Sequence, residues 1–569
     1  MNTRFAIRQI PLFAWLLTIG LAAGWLLPNH YPPWLAFHVN AWVALALMLI
    51  VLRGLYISKE SIRLDSGGWV LLILALIPLA QYSIGLLPLL SDVVLRSLYL
   101  FGAAAAYILA RHWNRHEYLG AANHVFSAMA IAAALSVGLA TYQWLGFAKD
   151  MGLMDIWVLP FAEGTRPYAN MGQPNQLASL FLCGLLGVAW AWNKRQLSGA
   201  MAVCLAAWIL WGVALTESRT AMLTLALGMI TLFLFGKRYL RKSEITTLTL
   251  LFCFYIFCLF GKSYLAKLVG LDLPLSIVER SAGELRISLW KMSLDASLQS
   301  PWGGFGWGRS NAGYFLVYEK YRTTFGGTYF EQSHNLILDL ALWVGWPFAI
   351  FFVGLGCLWI FRRVRGAKTI EAAILLMAIA VLIIHAMLEF PLHYGYFLWP
   401  FFVLAGSVSV VGDKDASTGM EIPRGAAALF IMGLLIALII IVIDYLKVEE
   451  SFSELRFQIA RIGRDHNEAL PETMILRDWP EAIALARKTP RPGMSEEEIR
   501  HWEALLMYNT SPLALRKVIG ANRLNGKEAQ AQAWANRACW LLPQAVCMGL
   551  IDEWASPAES ASSVKQPVP

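Results

Sequence analysis

The chain has 569 residues, of which 58% are hydrophobic and only 15% charged, with a formal net charge of +8 and a mean hydropathy of +0.54. A soluble domain is nearer a quarter charged, so this composition excludes an ordinary soluble enzyme and implies a polytopic membrane protein. The excess of Lys and Arg sits in short loops between apolar runs, with no basic tract interleaved with aromatics, so no nucleic-acid partner is expected.

Apolar runs of about 17 to 25 residues, enough to cross roughly 30 Å of hydrocarbon as helix, begin near Ile10, Trp34, Gly67, Val93, His124, Pro174, Gly199, Thr220, Ile245, Asn335, Glu371, Tyr394 and Gly425. The first follows Arg4 and Arg8 as a signal-peptide core would, but many spans come after it, and it is read as a retained helix. The expected fold is an all-α polytopic integral membrane protein of about 13 transmembrane helices. A large loop interrupts it and a helical soluble domain ends it. The expected division is a transmembrane catalytic domain over 1–446, including a periplasmic loop over 262–334, and a C-terminal helical domain over 447–569.

Orientation follows from the rule that cytoplasmic loops hold the excess of basic residues. Arg4/Arg8, Arg53/Lys59/Arg63, Arg111/Arg115, Lys194/Arg195, Lys237/Arg238/Arg241/Lys242, Arg362/Arg363/Arg365/Lys368 and Lys414/Arg424 mark one side. The intervening turns at 28–33, 88–92 and 389–393 have no Lys or Arg, and the long polar segment from Ser263 to Ser333 shares their side. In a bacterium that side is the periplasm, with the N-terminus cytoplasmic and the tail periplasmic.

The tail has the pattern of short amphipathic helices. Ser495-Glu-Glu-Glu498 and Asn525-Gly-Lys-Glu528 read as capping boxes, and AQAQAWANRACWLLP resembles one helix of a tetratricopeptide-like pair, with no second copy at a fixed period. Cys539 and Cys547 straddle Pro543 in an oxidising compartment, which allows a disulfide; the other five cysteines read as small core residues. The last dozen residues have a disordered composition.

Chemistry-bearing residues gather on the outer side. His334 stands in Glu331-Gln-Ser-His-Asn335, where the longest outer loop meets an apolar run, and imidazole exchanges protons near neutral pH. Arg219, in the short turn Thr216-Glu-Ser-Arg-Thr220, either pairs with Glu217, snorkels to a lipid headgroup, or binds an anion. Arg286, Trp290 and Ser293 recur at i, i+4 and i+7, on one face of a helix along the membrane surface, and Arg219 and Arg286 together would fork a diphosphate. Pro301-Trp-Gly-Gly-Phe-Gly-Trp-Gly308 lacks the Lys-Ser/Thr ending of a phosphate-binding loop and reads as a hinge or turn. In Arg166-Pro-Tyr-Ala-Asn-Met-Gly-Gln173-Pro-Asn175-Gln176 the amides need partners, either sugar hydroxyls or neighbouring backbone. Glu389, His393, Tyr394 and Tyr396 are further outward polar residues, with His385 one turn inside. No HExxH, paired cysteine ligands or DxD-like pair occurs in the outer loops, so neither a metal site nor a cofactor is expected.

GQPNQLA, SRTAMLTLALG, Arg286-x-x-x-Trp290, Pro301-Trp-Gly-Gly-Phe-Gly and Ser333-His-Asn335 together resemble the O-antigen ligase superfamily, and within it the PglL-type bacterial protein O-oligosaccharyltransferases. The resemblance runs from about Phe161 to Pro400, and GQPNQLA is the stretch that favours the PglL type. It implies an inner-membrane enzyme that takes a glycan from undecaprenyl diphosphate and passes it to a Ser or Thr hydroxyl of an exported protein such as a pilin. It further implies that His334 is the essential loop histidine and that Arg219 and Arg286 bind the donor diphosphate. Gln173 or Gln176 would be the amide implicated in activity, with Asn175 beside it, and Tyr394 or Tyr396 the essential tyrosine. A lipopolysaccharide ligase or glycan polymerase shares donor and base and differs in acceptor. A transporter or flippase is the reading from another class, disfavoured by spans nearly free of charge and halves that do not echo one another.

Overall fold

The computed structural model of the chain describes residues 12–58, 60–117, 119–148, 156–161, 165–271, 285–325, 328, 330–411, 419–463, 468–508, 511–542 and 547. The first nine helices are α1 (Leu12–Gly24), α2 (Phe37–Ile57), α3 (Ser66–Ser83), α4 (Leu90–His116), α5 (Gly120–Trp144), α6 (Pro174–Asn193), α7 (Gly199–Thr216), α8 (Arg219–Phe235) and α9 (Lys242–Leu268). Three shorter helices follow, α10 (Arg286–Ser297), α11 (Ser310–Val317) and α12 (Leu336–Val344). Then come α13 (Trp346–Gly366), α14 (Ile370–Ala386), α15 (Gly395–Val408) and α16 (Arg424–Ile459), and in the tail α17 (Asp478–Arg487), α18 (Glu496–Tyr508), α19 (Pro512–Leu524) and α20 (Glu528–Leu541). Among the described residues the strands are β1 (Ile62–Leu64) and β2 (Met420–Ile422), paired antiparallel with Ile62 opposite Ile422.

The all-α polytopic reading holds. Among the described residues ten helices are long and apolar enough to cross a membrane, namely α2 to α9, α13 and α16, and α1, α14 and α15 are shorter apolar helices. One expected span differs. The apolar run from Asn335 is cut at Gly345, whose φ of +79° closes α12 after nine residues and lets α13 start afresh at Trp346. Hydropathy cannot register a break made by one glycine, and here the break is required, because a Cβ at Gly345 would lie 2.4 Å from the Trp302 carbonyl carbon.

The chain divides into two compact units. The first comprises 1–75, 98–283 and 354–439, and the second 76–97, 284–353 and 440–569.

In the first unit small residues set the helix spacing, as expected where lipid is as apolar as the core and only close contact favours association. A Cβ on Gly184 or Gly187 of α6 would come within 2.3 Å of Ala133 Cβ or the Phe126 carbonyl on α5. Buried charge is paired: the Arg111 guanidinium approaches Asp65 at 3.4 Å and donates to the carbonyl and hydroxyl of Ser409, while Tyr107 donates to Asp65 at 3.0 Å.

The second unit joins the polar loop to the tail. The buried Gln81 amide donates to the Trp343 carbonyl and accepts from the Trp307 N–H, both at 2.8 Å. This fastens the glycine-rich stretch to the end of α12, where Phe305 N–H also donates to the Leu342 carbonyl at 2.6 Å. The stretch is thus a packed turn. On the tail side the Asp444 carboxylate of α16 accepts the N–H groups of Met474, Ile475 and Leu476 at 2.7 to 3.1 Å. Ser91 and Asp478 exchange two bonds, each side chain accepting the other's N–H. Asn311 of α11 donates to the Met507 carbonyl, and Phe315 meets Trp534 edge-on at 6.0 Å.

Ser495 caps α18 through the Glu498 N–H, as its sequence predicts. Asn525 does not form the expected capping box: its side chain accepts the Met494 N–H and donates to the Arg491 carbonyl, and α20 is preceded by Lys527 without a side-chain cap. That long-range pair outbids a local cap. Cys547 is disulfide-bonded and the five cysteines of the membrane helices are free thiols. The side chain of Cys539 and the last dozen residues lie outside the described residues.

Gly304 has φ +67°, and a Cβ there would sit 2.6 to 2.7 Å from the backbone of Leu342, Trp343 and Val344. Left-handed strain and overpacking each cost about 1–3 kcal/mol. Gly304→Ala therefore lowers the melting temperature of the detergent-solubilised protein, read by fluorescence-detected gel filtration after heating, whereas Gly303→Ala, which meets open space, leaves it unchanged.

Candidate functional site

The described site residues fall in two groups, one in each unit. His334 belongs to the second, and its position is set by a carboxylate that the sequence reading passed over. Asp339 lies one turn into α12, is 1% exposed, and accepts the Ser333 N–H at 2.8 Å and the Ser310 hydroxyl at 3.2 Å. The Trp343 indole donates to Ser310 Oγ at 2.9 Å, completing a closed network. On the other flank Asn335 caps α12 by accepting the N–H groups of Ile337 and Leu338. Ser333 Oγ donates to the Asn335 carbonyl and accepts its N–H. His334, between two immobilised neighbours, is held at φ +55°, a conformation costly for a residue with a Cβ, with its ring edge-on to Phe330 at 6.1 Å.

The same environment perturbs the Asp339 carboxyl. Burial raises Asp339 to about 6, outweighing the hydrogen bonds from Ser333 and Ser310 and the attraction of His334. Glu331, by contrast, is exposed. Arg286 is the first residue of α10, and one turn later the buried indole N–H of Trp290 has no acceptor among the described residues, which leaves it for water or a bound molecule. Ser293 instead faces the core, bonded to the Leu289 carbonyl and the Tyr314 hydroxyl.

In the first unit Arg219 opens α8, which Ser218 caps through the Ala221 N–H. Glu217, left-handed at φ +46°, pairs with Lys262 of α9, and both side chains are 7% exposed. Arg166 approaches the carbonyls of Thr216 and Glu217 at 3.5 Å. Two arginines, a Glu217–Lys262 ion pair and a helix N-terminus thus meet at one turn, which carries a positive excess and is a favourable setting for an anion. Lys262 is visible in the sequence only as a lysine inside an apolar run.

The amide cluster divides between backbone and side-chain partners. Asn170 is spent on backbone, donating to the carbonyls of Leu26 and Trp157 and accepting from Leu159. Gln173 is the N-cap of α6 and accepts the Gln176 N–H at 2.7 Å. Asn175 donates to Glu389 at 3.0 Å, Gln176 accepts from the Tyr396 hydroxyl, and Ser179 bonds His385 Nδ1 at 2.7 Å. Tyr394 stacks on Tyr396 with ring centroids 5.1 Å apart. Gln176 and Tyr396 are therefore direct partners, while Gln173 and Tyr394 flank them. Among the described residues no group of three His, Cys, Asp or Glu gathers to hold a metal.

Three family models match successive parts of the chain: "Protein glycosylation ligase" over residues 167–192, "O-Antigen ligase" over 204–353, and "Virulence factor membrane-bound polymerase, C-terminal" over 373–546. The first takes in Gln173, Asn175 and Gln176, the second Arg219, Arg286 and His334, and the third Tyr394, Tyr396 and much of the tail. The chain is 26% identical over 552 residues to a general O-oligosaccharyltransferase of Acinetobacter baylyi, covering 94% of each chain. It is 25% identical over 268 residues to a ComP-specific O-oligosaccharyltransferase of the same organism, 47% of this chain and 48% of that one. The resemblance to the O-antigen ligase superfamily and its PglL-type members is borne out.

Asp339 yields a pH test. Its folded carboxyl titrates above the unfolded value of about 3.9, so protonation favours the fold. That contribution is complete below about pH 4 and is lost as pH rises through about 6. Asp339→Asn cannot ionise, so its stability relative to wild type improves across this window by on the order of 2–3 kcal/mol. Thermal unfolding of both proteins at about pH 4 and about pH 7 reads the change; a constant difference would contradict the buried carboxyl.

Proposed function

We propose that the chain is a protein O-oligosaccharyltransferase of the bacterial inner membrane. It moves a glycan en bloc from undecaprenyl diphosphate to a Ser or Thr hydroxyl of an exported protein such as a pilin, at the periplasmic face. The observation that carries this reading is near full-length similarity to a general O-oligosaccharyltransferase, with a protein glycosylation ligase match falling on the Gln173 to Gln176 stretch.

In this reading His334 accepts the proton of the acceptor hydroxyl as its oxygen bonds to the anomeric carbon. The bond from that carbon to the diphosphate oxygen breaks, and the diphosphate leaves with the electron pair. Arg219 and Arg286 stabilise the growing negative charge, and fixed guanidinium groups suit this because they need no reorganisation as charge develops. Arg166 reinforces Arg219 by adding positive charge to its turn, where Lys262 is paired with Glu217. The left-handed backbone of His334, clamped through Ser333 and Asn335, supports a role that needs a fixed imidazole. Gln176 and Tyr396, hydrogen-bonded to each other with Asn175 and Glu389 alongside, would orient sugar or acceptor. With two fixed cations the reaction needs no divalent metal.

The polymerase match over 373–546 favours a second reading in which the acceptor is another glycan. Co-expression with a pilin and a lipid-linked glycan donor separates the two, since protein transfer gives glycosylated pilin by mass spectrometry and polymerisation gives longer lipid-linked chains.

General-base assistance contributes about 10²- to 10⁴-fold. His334→Ala, inserted and expressed as wild type, should lower pilin glycosylation by about that factor; wild-type transfer by this variant would remove the imidazole from the mechanism. Wild-type transfer should persist in EDTA, and activity lost there but restored by magnesium or manganese would overturn the metal-free scheme.

A further inference from the structure

The face of α10 that bears Arg286 and Trp290 is not its most exposed one. Ile287, Leu294 and Leu298 are 62%, 43% and 57% exposed, and Lys291 between them is exposed as well. At about 100° per residue, these four positions fall within about 60° of arc, a narrow stripe along one side of the helix. Just beyond it Trp302, 78% exposed, extends the stripe. Behind the helix Leu289, Met292 and Ala296 are buried in the core of the unit, so the stripe is outward by construction.

What covers this stripe follows from where α10 ends. The Trp346 N–H donates to the Pro301 carbonyl at 2.7 Å, and the Trp346 indole donates to Ser297 Oγ at 3.1 Å. Gly345 lies against the Trp302 backbone. The C-terminal end of α10 is thereby fixed to the first residue of α13, a membrane-spanning helix whose next turn exposes Phe348, Ile350 and Phe351. The apolar stripe thus ends beside the helix that carries this exposed apolar surface.

The geometry points to α10 as an interfacial helix, its Ile287-Leu294-Leu298-Trp302 stripe seated in the leaflet where α13 begins. Lys291 in mid-stripe suits the position, its stem lying with the acyl chains and its ammonium rising to lipid phosphate. Tryptophans at 302 and 346 occupy the boundary depth that indoles favour. The seating does not depend on glycosyl transfer. Its consequence does rest on the proposed function: α10 holds Arg286 at headgroup level, where a membrane-bound polyprenyl donor carries its diphosphate.

The test uses the full-length protein in phospholipid vesicles with p-benzoylphenylalanine replacing Leu294, Leu298, Phe351 or Glu497, followed by irradiation and mass spectrometry of adducts. Positions 294 and 298 should give phospholipid adducts at a yield similar to Phe351 on α13 and at least tenfold above Glu497, exposed in the first turn of α18. Yields at 294 and 298 no higher than at 497, or adducts to protein in place of lipid, overturn the proposal. As a second measure, Leu294→Glu with Leu298→Glu should cut the lipid adduct of a probe at Ile287 about fivefold while the Phe351 adduct is unchanged; an undiminished Ile287 adduct also overturns it. Glycan transfer is not read at any step, so failure here is distinct from failure of the proposed activity.

Discussion

One buried carboxylate organises the loop on which the candidate base stands. Asp339 accepts from Ser333 and Ser310, and in a site with 1% exposure a carboxylate is tolerated only because donors converge on it. The convergence orders the chain from two directions. It brings the start of α11 to the start of α12, and it leaves His334 no freedom between a Ser333 that is bonded and an Asn335 that caps a helix. A left-handed histidine survives because its neighbours over-determine it, the circumstance in which local strain is retained at functional positions.

The membrane unit solves a different problem with the same rule. Buried polar side chains at the start of α6 would be expensive in a low-dielectric setting without partners, and these are paired in a column: Asn175 to Glu389, Gln176 to Tyr396, Ser179 to His385. Their partners come from α14, α15 and the turn between them, so Asn175, Gln176 and Ser179 tie α6 to all three.

Much of this was legible in the sequence for a physical reason: a span needs length and apolarity, and both are local properties. His334, Arg219 and Arg286 stood out because charged or titratable groups at a membrane boundary are conspicuous. What escaped was whatever depends on distant partners. Asp339 sits in the apolar run LILDLALWV and was signalled by that misfit alone. The break at Gly345 depends on Trp302, and the failure of Asn525 to cap α20 depends on Arg491 and Met494. The partner of each amide near Asn170 was open between sugar and backbone until its neighbours were known.

The tail and the loop are best understood as one folded body. Tail residues reach α11 through the Asn311 bond to Met507 and the Phe315 contact with Trp534, where Arg537 also lies over both rings. Asn311 follows Ser310, and Ser310 bonds Asp339, which bonds Ser333 beside His334. Three hydrogen bonds, each with a buried partner, therefore separate the α18 backbone from the histidine loop. A close-packed interior has low compressibility and transmits strain along such a chain. A partner that shifts the end of α18 must either shift α11 with it or break the Asn311 bond.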